Sequence, residues 1–156
     1  MGLTVLAGQE VQSRIEQELP GTTVEASDFA VVVKAESVLD IMRFLKESAE
    51  FDFNYLTNLT SVDYNEYFEV VYHLVSMKKK HTLVVKTRCG KENPEVQSVT
   101  SLWLGADYQE REVYDLMGIS FSGHPRLRRI LLWDGFEGHP LRKDYSYPAP
   151  EPPGQQ

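Results

Sequence analysis

Apolar positions along the chain follow two different periods. Val11, Ile15 and Leu19 recur every four residues, as on one face of a helix, and Pro20-Gly21 ends the run. Thr22 to Ala26 and Phe29 to Ala35 are β-rich runs joined at Ser27-Asp28, which predicts a hairpin-like pair. The helical period returns with Val38, Ile41, Met42 and Leu45. Ser37 stands where an N-cap would, with Asp40 three residues on in a capping-box-like position. From Tyr55 the period drops to two. Runs at 55–64, 67–77 and 82–88 read as three longer strands; in the second, Phe68, Val70, Tyr72 and Leu74 alternate with Glu69, Val71, His73 and Val75. Asn65-Glu66 and Lys78-Lys79-Lys80 are the natural turns, so the region predicts an antiparallel meander with a solvated lysine tip.

A polar loop at 90–94 and the run Val96 to Leu104 lead into a short, densely charged helix. Asp107 and Glu110 have N-cap and N3 spacing, and Gly118 sits where a C′ glycine would end it. Asp107–Arg111 and Arg111–Asp115 are i,i+4 pairs, worth a few tenths of a kcal/mol if exposed. Val113, Tyr114 and Met117 are expected to face the core. Beyond Gly118, glycines at 123, 135 and 138 and prolines at 125, 140, 148, 150, 152 and 153 leave little room for regular structure. Ile130-Leu131-Leu132-Trp133 is an apolar island, a short strand or an anchor. So long an irregular segment points to function, and its aromatics and arginines suit an arm lying along a partner. The expected organisation is an α+β domain over 1–117, its mixed or antiparallel sheet flanked by helices, then an extended irregular C-terminal arm over 118–147 and a flexible tail over 148–156. Gly123-His124-Pro125 and Gly138-His139-Pro140 echo each other without the length of a structural repeat.

Composition narrows the function. The 156 residues are 42% apolar and 25% charged, a globular balance. No apolar run approaches the roughly 20 residues that span a bilayer, and the start lacks the basic n-region of a secretion signal. Membrane association is therefore expected only through a partner. The net charge of −7 is uneven: residues 1–77 carry four Lys/Arg against thirteen Asp/Glu, and residues 78–156 carry twelve against ten. Such asymmetry suits an interaction surface, while an acidic chain disfavours nucleic acid. The single cysteine, Cys89, cannot supply the roughly four thiolates of an iron–sulfur cluster. After an apolar run it reads as a small buried hydrophobe.

Few residues are candidates for chemistry. Glu110 and Glu112 could form a general acid/base pair, but i and i+2 on a helix point about 200° apart and cannot flank one bond. One is expected to cap and the other to pair with an arginine. His124 and His139 with Glu137 lack the patterned spacing of a zinc site, and each histidine precedes a proline that favours extended backbone; a turn-setting or hydrogen-bonding role is expected. Neither phosphate-binding glycine loops nor a G-x-S-x-G elbow occurs. No cofactor is expected on this chain. A rival reading keeps an autonomous acidic hydrolase using Glu110 or Asp115 with His124, and another a soluble adaptor using the same domain for protein binding.

Glu110-Arg111-Glu112, Asp115-Leu116-Met117, His124 and Arg128-Arg129-Ile130-Leu131, at these separations, resemble the signature of one family of respiratory complex I subunits. This is the thirty-kilodalton, or C-type, subunit family of the proton-translocating NADH:quinone oxidoreductase. The likeness extends upstream through Pro94 to Val99 and Trp103 and downstream through Gly138 to Tyr145, covering roughly residues 30–147. It implies a small α+β subunit of the hydrophilic arm, peripheral on the cytoplasmic side of the cell membrane or its organelle equivalent. NADH, FMN, iron–sulfur clusters and quinone would be bound by other subunits. The chain would pack on the large quinone-site subunit of the forty-nine-kilodalton type, near iron–sulfur subunits. Related subunits occur in membrane-bound hydrogenases and in ferredoxin- or F420-driven complexes, so the electron donor stays open. Glu110, Arg111, Glu112, Asp115, Gly118, His124 and Pro125 would be signature or structural residues, with Glu110, Arg111, Glu112 and Asp115 holding the root of the arm. Arg126, Arg128, Arg129, Trp133, Phe136, His139, Arg142, Lys143 and Tyr145 would meet the partner, the basic groups through its carboxylates and the aromatics as desolvated anchors.

Overall fold

The two hydrophobic periods become one six-stranded sheet packed against three helices in a computed structural model that describes residues 2–147. In chain order the elements are β1 (Thr4–Val5), α1 (Gly8–Glu18), β2 (Thr23–Ala26), β3 (Ala30–Val33), α2 (Val38–Glu47) and β4 (Tyr55–Asp63). β5 (Tyr67–Ser76), β6 (His81–Gly90), β7 (Glu95–Gln97), α3 (Ala106–Met117) and β8 (Ser120–Ser122) follow. The fold class is α+β, as the periodicity predicts. β2 and β3 form the expected hairpin, and β4, β5 and β6 the expected meander. The meander turns through Asn65 and Lys80, both at positive φ.

What makes the sheet mixed is long-range. β3 lies parallel to β6, with Ala30 opposite Val84, so the order is β2-β3-β6-β5-β4. β1 is also parallel to β6; at two residues it is too short to show a period. Alternation decides the layering. Phe68, Val70, Tyr72 and Leu74 join Leu83 and Val85 in the core, and Val11 and Ile15, Val38, Ile41, Met42 and Leu45, and Val113 and Met117 close over them from the three helices. α1 can approach this closely because Gly8 has no side chain: a Cβ there would lie 2.1 Å from the Ala30 carbonyl oxygen.

Both expected N-caps are replaced. Ser37 ends a single 3₁₀ turn and makes no side-chain cap. Instead the Leu39 N–H donates to Gln97 Oε1 at 2.9 Å, so β7 satisfies an end of α2 from far along the chain. In α3 the N-cap is Gly105, and Asp107 lies inside the first turn. The C-terminus follows expectation: Gly118 is left-handed and its N–H donates to the Tyr114 carbonyl. β8 pairs in parallel with β7, so residues just past Gly118 still belong to the packed body, beyond the boundary expected at 118. Residues 123–147 contain no helix or strand. The Ile130 to Trp133 island is therefore not a strand, and the tail expected over 148–156 lies outside the described residues.

Candidate functional site

The arm is tied to the body by one carboxylate. Asp115 lies on α3 with no exposed surface. Its Oδ2 accepts three successive backbone N–H groups, from Ile130 (3.1 Å), Leu131 (2.8 Å) and Leu132 (2.9 Å). Its Oδ1 accepts Arg129 Nη1 at 2.7 Å. The Asp115 carbonyl accepts the same guanidinium and His139 Nδ1, the latter at 2.8 Å. Arg129 Nη2 then donates to the carbonyls of Phe136 (2.9 Å) and Gly138 (2.8 Å). Burial pushes the Asp115 carboxyl up, but the three amides and the guanidinium outweigh it and leave it below the ordinary range. Arg111 adds a second strap, donating from Nε and Nη2 to the carbonyls of Arg128 and Arg129.

This changes two expectations. The i,i+4 pairs of α3 do not form among the described residues: Asp107 faces His124, Arg111 grips arm carbonyls, and Asp115 takes Arg129. Arg129, expected on the partner side, spends its donors inside the chain. His139 is likewise held internally. Its ring fills the space beside Gly118, where a Cβ would come within 2.6 Å, and Leu141 N–H donates to the Leu116 carbonyl nearby.

A second carboxylate fastens the far end of the arm. Asp63, at the end of β4, accepts the Lys143 N–H and the Asn65 N–H, each at 2.9 Å, and pairs with Lys91 Nζ at 2.5 Å. Burial opposes its ionisation, yet these donors together bring it down to about 2. Arg142 stacks over Phe68, 5.1 Å from the ring centroid, and pairs with Asp144. Sequence reasoning missed Asp63, Lys91 and Phe68. Nothing local marks their role, since Asp63 meets Lys143 eighty residues further along the chain and Phe68 and Lys91 join them only in the fold.

Glu110 does something else. Fully buried, it accepts Ser98 Oγ at 2.7 Å and Val99 N–H at 2.8 Å, locking the turn that joins β7 to α3. It does not cap its own helix, as its spacing suggests, and it does not touch the arm. Burial raises its carboxyl to about 7 against the pull of those two hydrogen bonds. Glu112 lies exposed on the opposite face of α3, as a separation of two helical positions requires, with no ion pair among the described residues. His124 accepts the Arg126 N–H on Nδ1 and directs Nε2 at the Asp107 carbonyl, the turn-setting role expected of it. Glu110, Asp115 and His124 thus serve three separate sets of partners, and neither carboxylate reaches solvent. The hydrolase reading has no shared cleft to work in.

The residues matched by a model of the family described as respiratory-chain NADH dehydrogenase, 30 Kd subunit, are 31–151, most of the chain and both arm anchors. The chain belongs to this family. Among curated relatives of this family member, the C subunit of NADH-quinone oxidoreductase from Roseiflexus castenholzii is 44% identical over 151 residues, which cover 95% of this chain and 86% of the relative. Among solved structures, a chain of the membrane-bound sulfane sulfur reductase, an archaeal respiratory membrane complex, superposes with a TM-score of 0.72 at 26% identity, covering 88% of this chain and 85% of that one. A trypsin-resistant fragment of Nqo5 superposes at 0.60 with 33% identity, covering 75% of this chain and 99% of the fragment.

On this family member, two kinds of side chain remain on the outer surface of the arm. Arg126 and Arg128 are exposed and make no side-chain hydrogen bond or ion pair among the described residues. Trp133, 69% exposed, stands edge-on to Phe136, which stacks on Tyr145, and Tyr145 meets Tyr147 edge-on. These rings form a continuous row, exposed at Trp133 and Tyr147 and half-buried at Phe136 and Tyr145. Pro125 is exposed beside the arginines, and Lys143, docked through its backbone, keeps its side chain outward.

Proposed function

We propose that this chain is a cofactor-free structural subunit of the hydrophilic arm of a proton-translocating NADH:quinone oxidoreductase, bracing the quinone-reducing module. The observation that carries it is the division of the arm's residues. Asp115, Arg129, Arg111, His139 and Asp63 shape the arm from within, while Trp133, Tyr147, Arg126 and Arg128 stay outside. A segment without helix or strand is held rigid by buried ionic contacts, and its exposed residues are the types that dominate protein interfaces. The name of the Roseiflexus relative supports the assignment to NADH-quinone oxidoreductase. The partner is then the large quinone-site subunit of the forty-nine-kilodalton type, with iron–sulfur subunits nearby. NADH, FMN, clusters and quinone lie on those partners, and the complex places this chain peripherally on the cytoplasmic side of the membrane or its organelle equivalent. No helix among the described residues is long and apolar enough to cross a membrane.

A second reading draws on the sulfane sulfur reductase chain: the same brace can serve a complex with another electron donor or acceptor. One experiment tests the main reading. Affinity-tagged chain recovered from detergent-solubilised membranes should bring NADH:quinone activity and the large quinone-site subunit with it. Trp133→Ala should lower that recovery several-fold while the purified variant chain keeps its melting temperature. A tagged chain that returns free of those subunits refutes the proposal.

A further inference from the structure

Resting on the brace reading, we infer that the groove between the start of α3 and the first bend of the arm docks a carboxylate-bearing segment of a partner protein. The groove encloses about 400 Å³ and is lined by Asp107, Tyr108, Arg111, Pro125, Arg126 and Arg128. Three guanidinium groups thus face one carboxylate in a chain whose net charge is −7. Asp107 Oδ1 is buried 3.0 Å from His124 Nε2 but makes no hydrogen bond, because that ring nitrogen bonds the Asp107 carbonyl instead, so the three guanidiniums outnumber a single inward carboxylate. Arg111 is fixed by its two bonds to arm carbonyls, which leaves Nη1 without a partner among the described residues. Arg126 and Arg128 have none there for their side chains. Tyr108, 61% exposed, lies under the Arg111 guanidinium at 5.8 Å and gives the groove an aromatic wall.

Guanidinium groups held on a rigid frame select planar carboxylates, which they can grip with paired hydrogen bonds. The frame is rigid here because Asp115 and Arg129 lock the residues that follow Arg128. An anionic lipid surface is the poorer match. The remainder of the chain is strongly acidic and would be repelled from it, and a concave groove with a tyrosine wall fits a side chain better than a plane of head groups. Sequence spacing hides the site, since Arg111 meets Arg126 and Arg128 only after the arm folds back over α3.

Arg126→Lys and Arg128→Lys keep the charge and supply amines that a zero-length carbodiimide can join to a carboxylate in contact. The complex is purified through a tag on this chain, treated, and its cross-linked peptides are sequenced. The expected product joins position 126 or 128 to an Asp or Glu of another subunit, and it is lost in the arginine original and in Arg126→Ala with Arg128→Ala. A complex that purifies intact but yields links only to this chain's own carboxylates, to a phospholipid, or to nothing overturns the groove and leaves the brace standing. A tagged original that brings no complex at all overturns the brace itself.

Discussion

The body and the arm of this molecule are held together by opposite means. In the body, apolar side chains from both strand and helix periods meet in one core, with Ile41, Met42, Leu45, Phe53 and Leu74 fully buried. In the arm, Trp133 and Tyr147 face outward, and the chain path is set by polar groups converging on two buried carboxylates. Burial of apolar surface is forgiving of detail and additive in area. A hub such as Asp115 is neither, because removing it strands several donors at once. The body can thus absorb small errors, while the arm depends on a few atoms.

Substitutions can sharpen or break that contrast. The largest effect is expected at Asp115→Ala, which strands Arg129 and three amides. Breaking a buried pair costs about 3–5 kcal/mol, and here the loss should fall on the arm. Amide hydrogen exchange at 130–132 should approach the unfolded rate while β5 and β6 stay protected. Equal loss of protection in the sheet would mean that arm and body are one cooperative unit. Arg129→Ala should act in the same direction. Leu45→Ala probes the other side of the comparison. A deleted core leucine costs about 2–5 kcal/mol, so the global melting temperature should drop with arm exchange tracking it.

Glu110→Gln tests the buried carboxyl inside the body. Its folded value near 7 lies above the ordinary 4.5, so the stability it contributes is full below about pH 4.5 and is lost as pH rises through 7. The original chain should lose stability relative to the glutamine variant across that window in denaturant titrations. A flat difference would contradict the burial argument. Asp63 has the opposite sign. Its folded value near 2 lies below the ordinary 3.8, so its contribution is present above that pH and fades as pH falls towards 2. Protease cleavage near Lys143 should rise over that acid range, and Asp63→Asn should remove the pH dependence. Smallest of all, Arg128→Ala should stay within about 0.5 kcal/mol of the original chain, as exposed surface changes do. A melting scan that shows a larger drop would place Arg128 inside the arm's own framework.

The body was largely legible because its signals are local. Val38, Ile41, Met42 and Leu45 announce α2, the alternation of Phe68 to Val75 announces β5, and Gly118 marks the end of α3. The caps at Ser37 and Asp107 misled because other groups satisfy the first amides: the Gln97 side chain for α2, and the Trp103 and Leu104 carbonyls for α3. Asp115, Arg129 and the Gly118–His139 contact were visible as residues but not as partners, since the bonds span fourteen to twenty-four positions. Arg129 looked like an outward-facing charge only because its carboxylate could not be assigned from spacing. Asp63 carried no local mark, being one acidic residue at the end of a strand.

Three consecutive amides on a single oxygen have a consequence for how this molecule would meet another. Fixing one residue of loose chain costs roughly 1–2 kcal/mol of backbone entropy, and Asp115 imposes that ordering before any encounter takes place. The surface beyond it thus arrives already shaped, so association loses little freedom there and adhesion rests on contact quality. A proline- and glycine-rich stretch thereby behaves like a piece of secondary structure, with one acidic side chain serving as its hydrogen-bond ladder.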